Sequence, residues 1–150
     1  MADFFQFETD FVDSLRCIPM QVRYRLDTCG VKLKLHQWNL FTLADRAELV
    51  DFEPQTAVEI DQYRELLVRL IQERAGEKAT LLTITSAPPW LNEAEIPTVV
   101  AEKISAAKIN FSLLQWQQLA TLQRFALIKL SSASHEQNNF LPALREFKVI

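Results

Sequence analysis

The sequence predicts an all-α fold. Only two glycines, Gly30 and Gly76, occur among 150 residues, where average usage would give about ten. Serine, threonine and proline stand where helices should begin, and the apolar residues that follow them have helical spacing. A chain of this length buries about 70% of its unfolded surface. We therefore expect a single compact helical domain over residues 1–150, with an extended N-terminal arm at its phenylalanine-rich start.

The first helix is expected from Pro19 to the residue before Gly30. Proline's fixed φ and missing amide suit the start of a helix, and glycine suits a left-handed cap at its end. Val22, Leu26 and Cys29 would form its apolar stripe. Arginines lie between these positions, so the helix is expected to have one apolar and one basic face.

Further helices follow from cap residues. Thr42 with Asp45 resembles a capping box and predicts a helix from Leu43 to about Phe52. Thr56 with Glu59 forms a second box, which opens the longest helix of the chain and predicts its end near Gly76. A polar loop then precedes a last short helix over residues 140–147.

The chain resembles itself after a shift of 78 residues. This shift places Ile18-Pro19 on Ile96-Pro97, Gln37-Trp38 on Gln115-Trp116 and Arg46 on Arg124. We expect two similar helical units, approximately residues 14–76 and 92–150, joined by a linker over residues 77–91. Each unit would contain a helix, a short tryptophan-bearing helix, a third helix and a closing helix.

The repeat indicates how residues 31–35, whose conformation is ambiguous from local sequence, should be interpreted. Residues 31–35 alternate between apolar and basic side chains, which in isolation predicts a short strand. In the second unit Ser112 and Gln115 form a capping box, so the helix that carries Trp116 should begin at Leu113. By analogy, we interpret residues 31–35 as a linker that enters a short helix.

The matched large side chains have structural interpretations. Trp38 and Trp116 are expected to anchor the core. Arg46 and Arg124 are expected to bond exposed helix-end carbonyls or a carboxylate.

Composition excludes several function classes. The formal charge of −3 and the pI near 5.4 give no general attraction to nucleic acid or to an anionic membrane. Two glycines are too few for the loops that hold nucleotide phosphates. No basic leader and no apolar run of about eighteen residues is present. We expect a cytoplasmic protein.

The residues that most often ligate metals or act as nucleophiles are few. They are Cys17, Cys29, His36 and His135, and no two have the short spacing of a metal site. We predict no metal, no cofactor and no catalytic residues. Cys17 and Cys29 are kept as candidate redox or ligand contacts, with Cys17 favoured because Arg16 beside it would lower its pKa.

A basic group is confined to the first unit. Between residues 16 and 34 it places five cations against the single acid Asp27. Its members are Arg16, Arg23, Arg25, Lys32 and Lys34. Ala101, Asn110 and Ser112 stand opposite three of them in the second unit. Two interpretations stay open: an ordinary charged surface, or a surface that docks an acidic region of another protein.

Several blocks of residues resemble one family. They are Ser14-Leu15-Arg16-Cys17-Ile18-Pro19-Met20, Cys29-Gly30-Val31-Lys32-Leu33-Lys34-Leu35 with Trp38, and the later Arg46 and Tyr63-Arg64. With these residues the chain resembles the nitrate reductase-associated protein family. The resemblance implies an accessory protein of nitrate assimilation, needed for an active cytoplasmic molybdenum-containing nitrate reductase of the kind found in cyanobacteria, with no catalysis of its own.

The function predicted from the sequence is therefore a maturation, assembly or activity factor that acts by protein–protein interaction. Its partner would be the nitrate reductase. The alternative is a small-ligand, metal or cofactor-precursor binding protein that uses Cys17 or Cys29. A third possibility is a purely structural subunit of the enzyme.

Overall fold

The computed structural model describes residues 4–9, 15, 17–132 and 139–150. The chain divides into two compact units. The first contains Phe4 and Glu8–Ile84, and the second contains Phe5–Phe7 and Thr85–Ile150. The boundary between the two units follows Ile84 and therefore lies inside residues 77–91, the segment that the sequence predicts to be a linker. A single domain over residues 1–150 stays a prediction.

The described part of the first unit contains four α-helices and two short strands. The helices are α1 (Met20–Cys29), α2 (Leu35–Leu40), α3 (Leu43–Asp51) and α4 (Ala57–Leu70). A π-helical turn, Ile71–Ala75, extends α4 up to Gly76. The strands are β1 (Val31–Lys32) and β2 (Thr80–Leu81), which pair antiparallel with Val31 opposite Leu81.

The second unit is built from helices and 3-10 turns. The helices are α5 (Thr98–Ala106), α6 (Leu113–Gln118), α7 (Thr121–Ser132) and α8 (Phe140–Glu146). The turns are Pro89–Leu91 and Gln6–Glu8, of which Gln6 and Phe7 belong to this unit and Glu8 to the first. Among the described residues, the strands β1 and β2 form the only sheet, a ribbon in which each strand has two residues. The predicted all-α class is therefore confirmed. Within the described part of the chain, no helix combines the length and the apolar character needed to cross a bilayer.

The predicted capping boxes determine where three helices begin. The hydroxyl oxygens of Thr42, Thr56 and Ser112 accept hydrogen bonds from the backbone N–H three residues later, at 3.0, 3.1 and 3.1 Å. Each bond satisfies one of the amides that a helix start leaves without a partner. The predicted starts at Leu43 and Leu113 and the box that opens α4 are confirmed.

Each unit has its own apolar interior. In the first unit Trp38, Leu49, Tyr63, Leu67 and Ile71 are fully buried. The expected stripe of α1 is buried as well, so the amphipathic assignment of that helix is confirmed for its apolar face. In the second unit the fully buried side chains include Val100, Trp116, Phe125, Leu127 and Leu144. Both tryptophans are core residues, as predicted.

Two expectations about extended segments are wrong. Val31–Lys32 is a strand rather than part of a linker, because β2 supplies a pairing partner that the sequence does not reveal. The start of the chain is not extended over Gln6–Glu8, which form a 3-10 turn. There the rings of Phe5 and Phe7 stack with centroids 5.3 Å apart, and the ring of Phe5 meets that of Phe147 edge-on at 5.1 Å.

The two units share local features at positions 78 residues apart. Helices α1 and α5, α2 and α6, and α3 and α7 begin at such positions. The indole N–H of Trp38 donates to Leu15 O at 2.8 Å, and that of Trp116 donates to Asn92 O at 2.9 Å. Each of these features lies within a single unit and has a counterpart in the other. That the two units are copies of one helical motif stays a prediction.

Gly30 and Gly76 provide a matched test of the ribbon. Both have positive φ, 77° and 66°, but a Cβ on Gly30 would lie 2.8 Å from Leu82 O, whereas one on Gly76 meets nothing within 4 Å. Gly76→Ala should lower the free energy of unfolding by about 1 kcal/mol through backbone strain. Gly30→Ala should cost at least about 1 kcal/mol more, because the backbone of Leu82 must move. Urea unfolding of the two variants measures the difference, and equal losses would contradict it.

Candidate functional site

The ribbon of β1 and β2 carries the most exposed part of the predicted basic group. Gly30 ends α1 in the left-handed region, which turns the chain into β1. Leu82 N–H donates to Gly30 O at 2.7 Å and holds the second strand against this turn. Lys32 then lies opposite Thr80.

Three exposed lysines cluster on this ribbon and beside it. Lys32 is on β1, Lys34 directly precedes α2, and Lys78 lies two residues before β2. If the register of the ladder is continued by two residues, Lys34 and Lys78 are the next pair of positions beyond Lys32 and Thr80. We call Lys32, Lys34 and Lys78 the lysine surface. Among the described residues, none of the three forms an ion pair within 4 Å.

An ion pair on the neighbouring side chains supports this placement. His36 Nε2 lies 2.8 Å from Glu77 Oε1, and Gln37 Nε2 donates to the same oxygen at 3.3 Å. The His36 bond is the main cause that lowers the pKa of Glu77, and the bond from Gln37 and the charges of His36 and Lys34 lower it further. Lys34 is therefore close to the segment that contains Glu77 and Lys78.

Arg25 has a different role from the one predicted. It is only 7% exposed and lies on the buried side of α1. Its Nη1 donates to Leu49 O at 2.8 Å and to Val50 O at 2.6 Å, near the end of α3. Its nearest carboxylate, on the exposed Glu53, is 3.8 Å away. Because its guanidinium is used to satisfy buried carbonyls, we remove Arg25 from the proposed docking surface.

Arg23 adds little to an exposed surface. It is half-buried, and its Nε donates to Ile18 O at 3.3 Å. Arg16 lies outside the described residues. Among the described cations of the basic group, the lysines and not the arginines therefore define the exposed site.

Arg46 and Arg124 bond helix-end carbonyls, as predicted. Arg46 donates to Trp38 O and Asn39 O at 3.1 and 2.9 Å, in the last turn of α2. Arg124 donates to Leu119 O, directly after α6, and to Trp90 O at 2.7 Å. The guanidinium of Arg46 also lies over the ring of Trp38, and that of Arg124 lies over the ring of Trp116.

The cysteines do not form a reactive pair. Both thiols are free. Cys29 is buried, its thiol approaches Leu26 O at 3.7 Å, and burial raises its pKa to about 11. At neutral pH this thiol is protonated, whereas metal ligation and nucleophilic attack require the thiolate. Cys17 is half-buried.

His36 belongs to no metal site among the described residues. His36 is exposed and paired with Glu77, and His135 lies outside the described residues. No group of three or more histidine, cysteine, aspartate or glutamate residues in the described ranges is arranged to hold a metal ion.

A groove lies among the described residues of each unit. In the first unit a groove of about 400 Å³ runs between α4 and the segment before β2, where Val68, Arg69 and Gln72 face Lys78 and Ala79. In the second unit a groove of about 690 Å³ lies at the end of α5. Only the first groove includes a residue of the lysine surface.

Sequence comparison identifies the family. The sequence model described as conserved nitrate reductase-associated protein matches residues 4–147. The chain belongs to this family. The match covers nearly the whole chain, including the ribbon and the lysine surface of this family member. No curated protein and no solved structure matches the chain.

Lys78 is the part of the site that the sequence analysis missed. It lies in the segment interpreted as a linker and is separated from Lys34 by more than forty residues. The pairing of Val31 with Leu81, together with the bonds of His36 and Gln37 to Glu77, brings the two segments together. The available signal was the run of β-branched and leucine residues after Lys78, which suits a strand.

The same substitution is expected to affect stability strongly at the buried cation and weakly at the exposed one. Arg25→Met should lower the free energy of unfolding by about 2–4 kcal/mol, because Leu49 O and Val50 O lose their donor inside the protein. Lys32→Met should change it by less than about 0.5 kcal/mol. Chemical denaturation compares them, and a stable Arg25→Met protein would return Arg25 to the list of candidate surface residues.

Thiol labelling distinguishes the two cysteines. At pH 8 iodoacetamide should modify Cys17 and spare Cys29, of which about one thiol in a thousand is ionised if the pKa is about 11. Mass spectrometry of digested protein locates the label. Labelling in guanidinium serves as the control and should modify both residues, whereas rapid labelling of Cys29 in the native protein would restore it as a candidate ligand.

Proposed function

We propose that this protein is a non-enzymatic accessory factor that supports the maturation, assembly or activity of a cytoplasmic molybdenum-containing nitrate reductase. It acts by binding another protein, and its contact surface is the lysine surface. An acidic region of the reductase is the expected counterpart. Family membership supplies the link to nitrate reductase, and the local chemistry supplies the surface.

The observation that carries this proposal is the set of three exposed lysines without ion pairs among the described residues. Exposed cations are normally solvated and cost little to leave unpaired, so their presence alone is not informative. Here, however, they are held by a ribbon that depends on a glycine cap and on a long-range strand contact. Such a rigid support reduces the entropy lost when a partner is bound.

A non-enzymatic role is supported by what the described side chains do. The cations inside the units bond backbone carbonyls, and the buried thiol is protonated. The remaining candidate nucleophile is Cys17, which has no histidine nearby in the sequence. The proposal therefore assigns no catalytic residue.

The alternative is that the protein binds a metal or a cofactor precursor through Cys17 or Cys29. Of these two candidate contacts, Cys29 is poorly suited to the role. Burial and the raised pKa of Cys29 oppose coordination by that residue. Cys17 alone would have to bind, and a single thiol holds metals weakly. Metal analysis of protein purified without oxygen separates the two proposals.

Charge reversal tests the lysine surface. The variant with Lys32→Glu, Lys34→Glu and Lys78→Glu should bind nitrate reductase from the same host about tenfold more weakly, since three interfacial charges at about 0.5 kcal/mol each give this factor. Binding of the natural chain should weaken as salt is raised. Surface plasmon resonance with immobilised reductase measures both effects.

A second triple variant controls for net charge. It carries the same three changes in charge at exposed cations of the second unit, Lys108→Glu, Arg145→Glu and Lys148→Glu. Its affinity for the reductase should stay within about twofold of the natural chain, because general repulsion between exposed charges is screened. Equal losses in both triple variants would remove the lysine surface from the proposal. Absence of binding by the natural chain would reject the partner.

A further inference from the structure

We infer that β2 and the residues after it, Thr80–Ile84, add an extended segment of the partner protein as a new strand on their outer edge. This inference rests on the proposed function and specifies how the partner is held. The occupant is an extended, acidic and partly aliphatic segment. We call Thr80–Ile84 the open edge.

The hydrogen-bond pattern of the ribbon leaves one edge unused. Leu82 N–H donates to Gly30 O, and Lys32 pairs with Thr80. Residues that face the neighbouring strand alternate along an antiparallel ladder, so Thr80 and Leu82 turn their backbone groups toward β1. Leu81 and Thr83 therefore turn their N–H and C=O groups away from it. In the described ranges no third strand pairs with them.

The side chains of the open edge are unusually exposed for their chemistry. Leu81, Leu82 and Ile84 are 61%, 40% and 49% exposed. The segment contains no charge, no proline and no glycine, and its residues favour strands. An edge of this kind pairs readily with other chains, and proteins usually cover or shorten it. Its exposure therefore indicates a surface that a partner covers.

The surroundings determine the chemistry of the occupant. Lys78 lies two residues before the open edge, and Arg69 lies with it on the groove of about 400 Å³ beside α4. The cations of this groove, Arg64, Arg69 and Lys78, outnumber its carboxylates, Glu65 and Glu77. Arg69 is exposed, and no ion pair joins it to another described residue. An acidic side chain of the added strand would meet Lys78 and Arg69, and an aliphatic one would enter the groove against Val68. An extended segment with alternating acidic and aliphatic residues satisfies both requirements.

Hydrogen exchange tests strand addition directly. In the free protein the amides of Leu81 and Thr83 should exchange quickly, while that of Leu82 is protected by Gly30 O. In the complex with purified nitrate reductase, exchange at Leu81 and Thr83 should slow about tenfold or more, because their N–H groups become bonded. NMR spectra of the isotope-labelled chain, recorded after exchange is quenched and the complex is dissociated, resolve the individual amides.

Two substitutions at one position provide the matched variants. Thr83→Pro removes an outward N–H and leaves the bond of Leu82 to Gly30 intact, whereas Thr83→Val keeps the N–H and the shape. Thr83→Pro should weaken reductase binding about fivefold or more, and Thr83→Val by less than about twofold. Retained protection of Leu82 shows that the ribbon is folded in both variants. The exchange measurement on the natural chain does not depend on either substitution.

The outcomes separate this inference from the function on which it rests. Binding that depends on the lysine surface, with fast exchange at Leu81 and Thr83 in the complex and equal affinities of the two Thr83 variants, would reject strand addition and keep the proposed function. Protection of Leu81 and Thr83 in the protein alone at high concentration would identify a second copy of this chain as the occupant and overturn the inference. Absence of any complex would reject both.

Discussion

Short helices impose the main constraint on this structure, because every helix end leaves backbone carbonyls without partners. Helices α2 and α6 have six residues each, so most of their carbonyls are end carbonyls. Arginine solves this problem in both units. Arg25 serves the end of α3, Arg46 serves α2, Arg124 serves α6, and Arg64 donates to Cys29 O at the end of α1 at 2.8 Å. The planar guanidinium reaches two or three carbonyls at once from a rigid fork of donors, whereas the ammonium of lysine is a compact, strongly hydrated charge on a flexible stem.

This use of arginine separates the cations into two groups with different consequences. Arginines that bond helix ends are tied to the interior and are poorly placed to meet another protein. The side chains of the lysine surface donate no hydrogen bond to a helix-end carbonyl among the described residues. A count of positive charges between residues 16 and 34 combines the two groups, whereas burial and hydrogen bonding distinguish them. The proposed docking surface is smaller than the original basic group, and it gains Lys78 from a distant part of the sequence.

The sequence predicted what local chemistry determines. The capping boxes and Gly30 define helix ends through atoms a few residues apart, and these predictions are confirmed. The start predicted at Pro19 is off by one residue, because Pro19 is the extended cap and α1 begins at Met20. The apolar stripe of α1 was also predictable, but the burial of Arg25 was not, because it depends on carbonyls of α3 some twenty-five residues away. The ribbon was missed for the same reason: Val31 and Leu81 become partners only through the fold. The candidate site is built on such long-range contacts, so the sequence located only part of it.

Gly30 links the stability of the ribbon to that of the first helix. It is both the residue that ends α1 and the residue whose carbonyl accepts from Leu82, with no room for a side chain between them. Leu26 and Cys29 in the last turn of α1 are buried, so loosening the ribbon at this point would disturb the core of its unit. In thermodynamic terms, detachment of β2 and fraying of α1 belong to one cooperative opening event rather than two. The edge strand is thus preorganised by the core, although it contains only two paired residues.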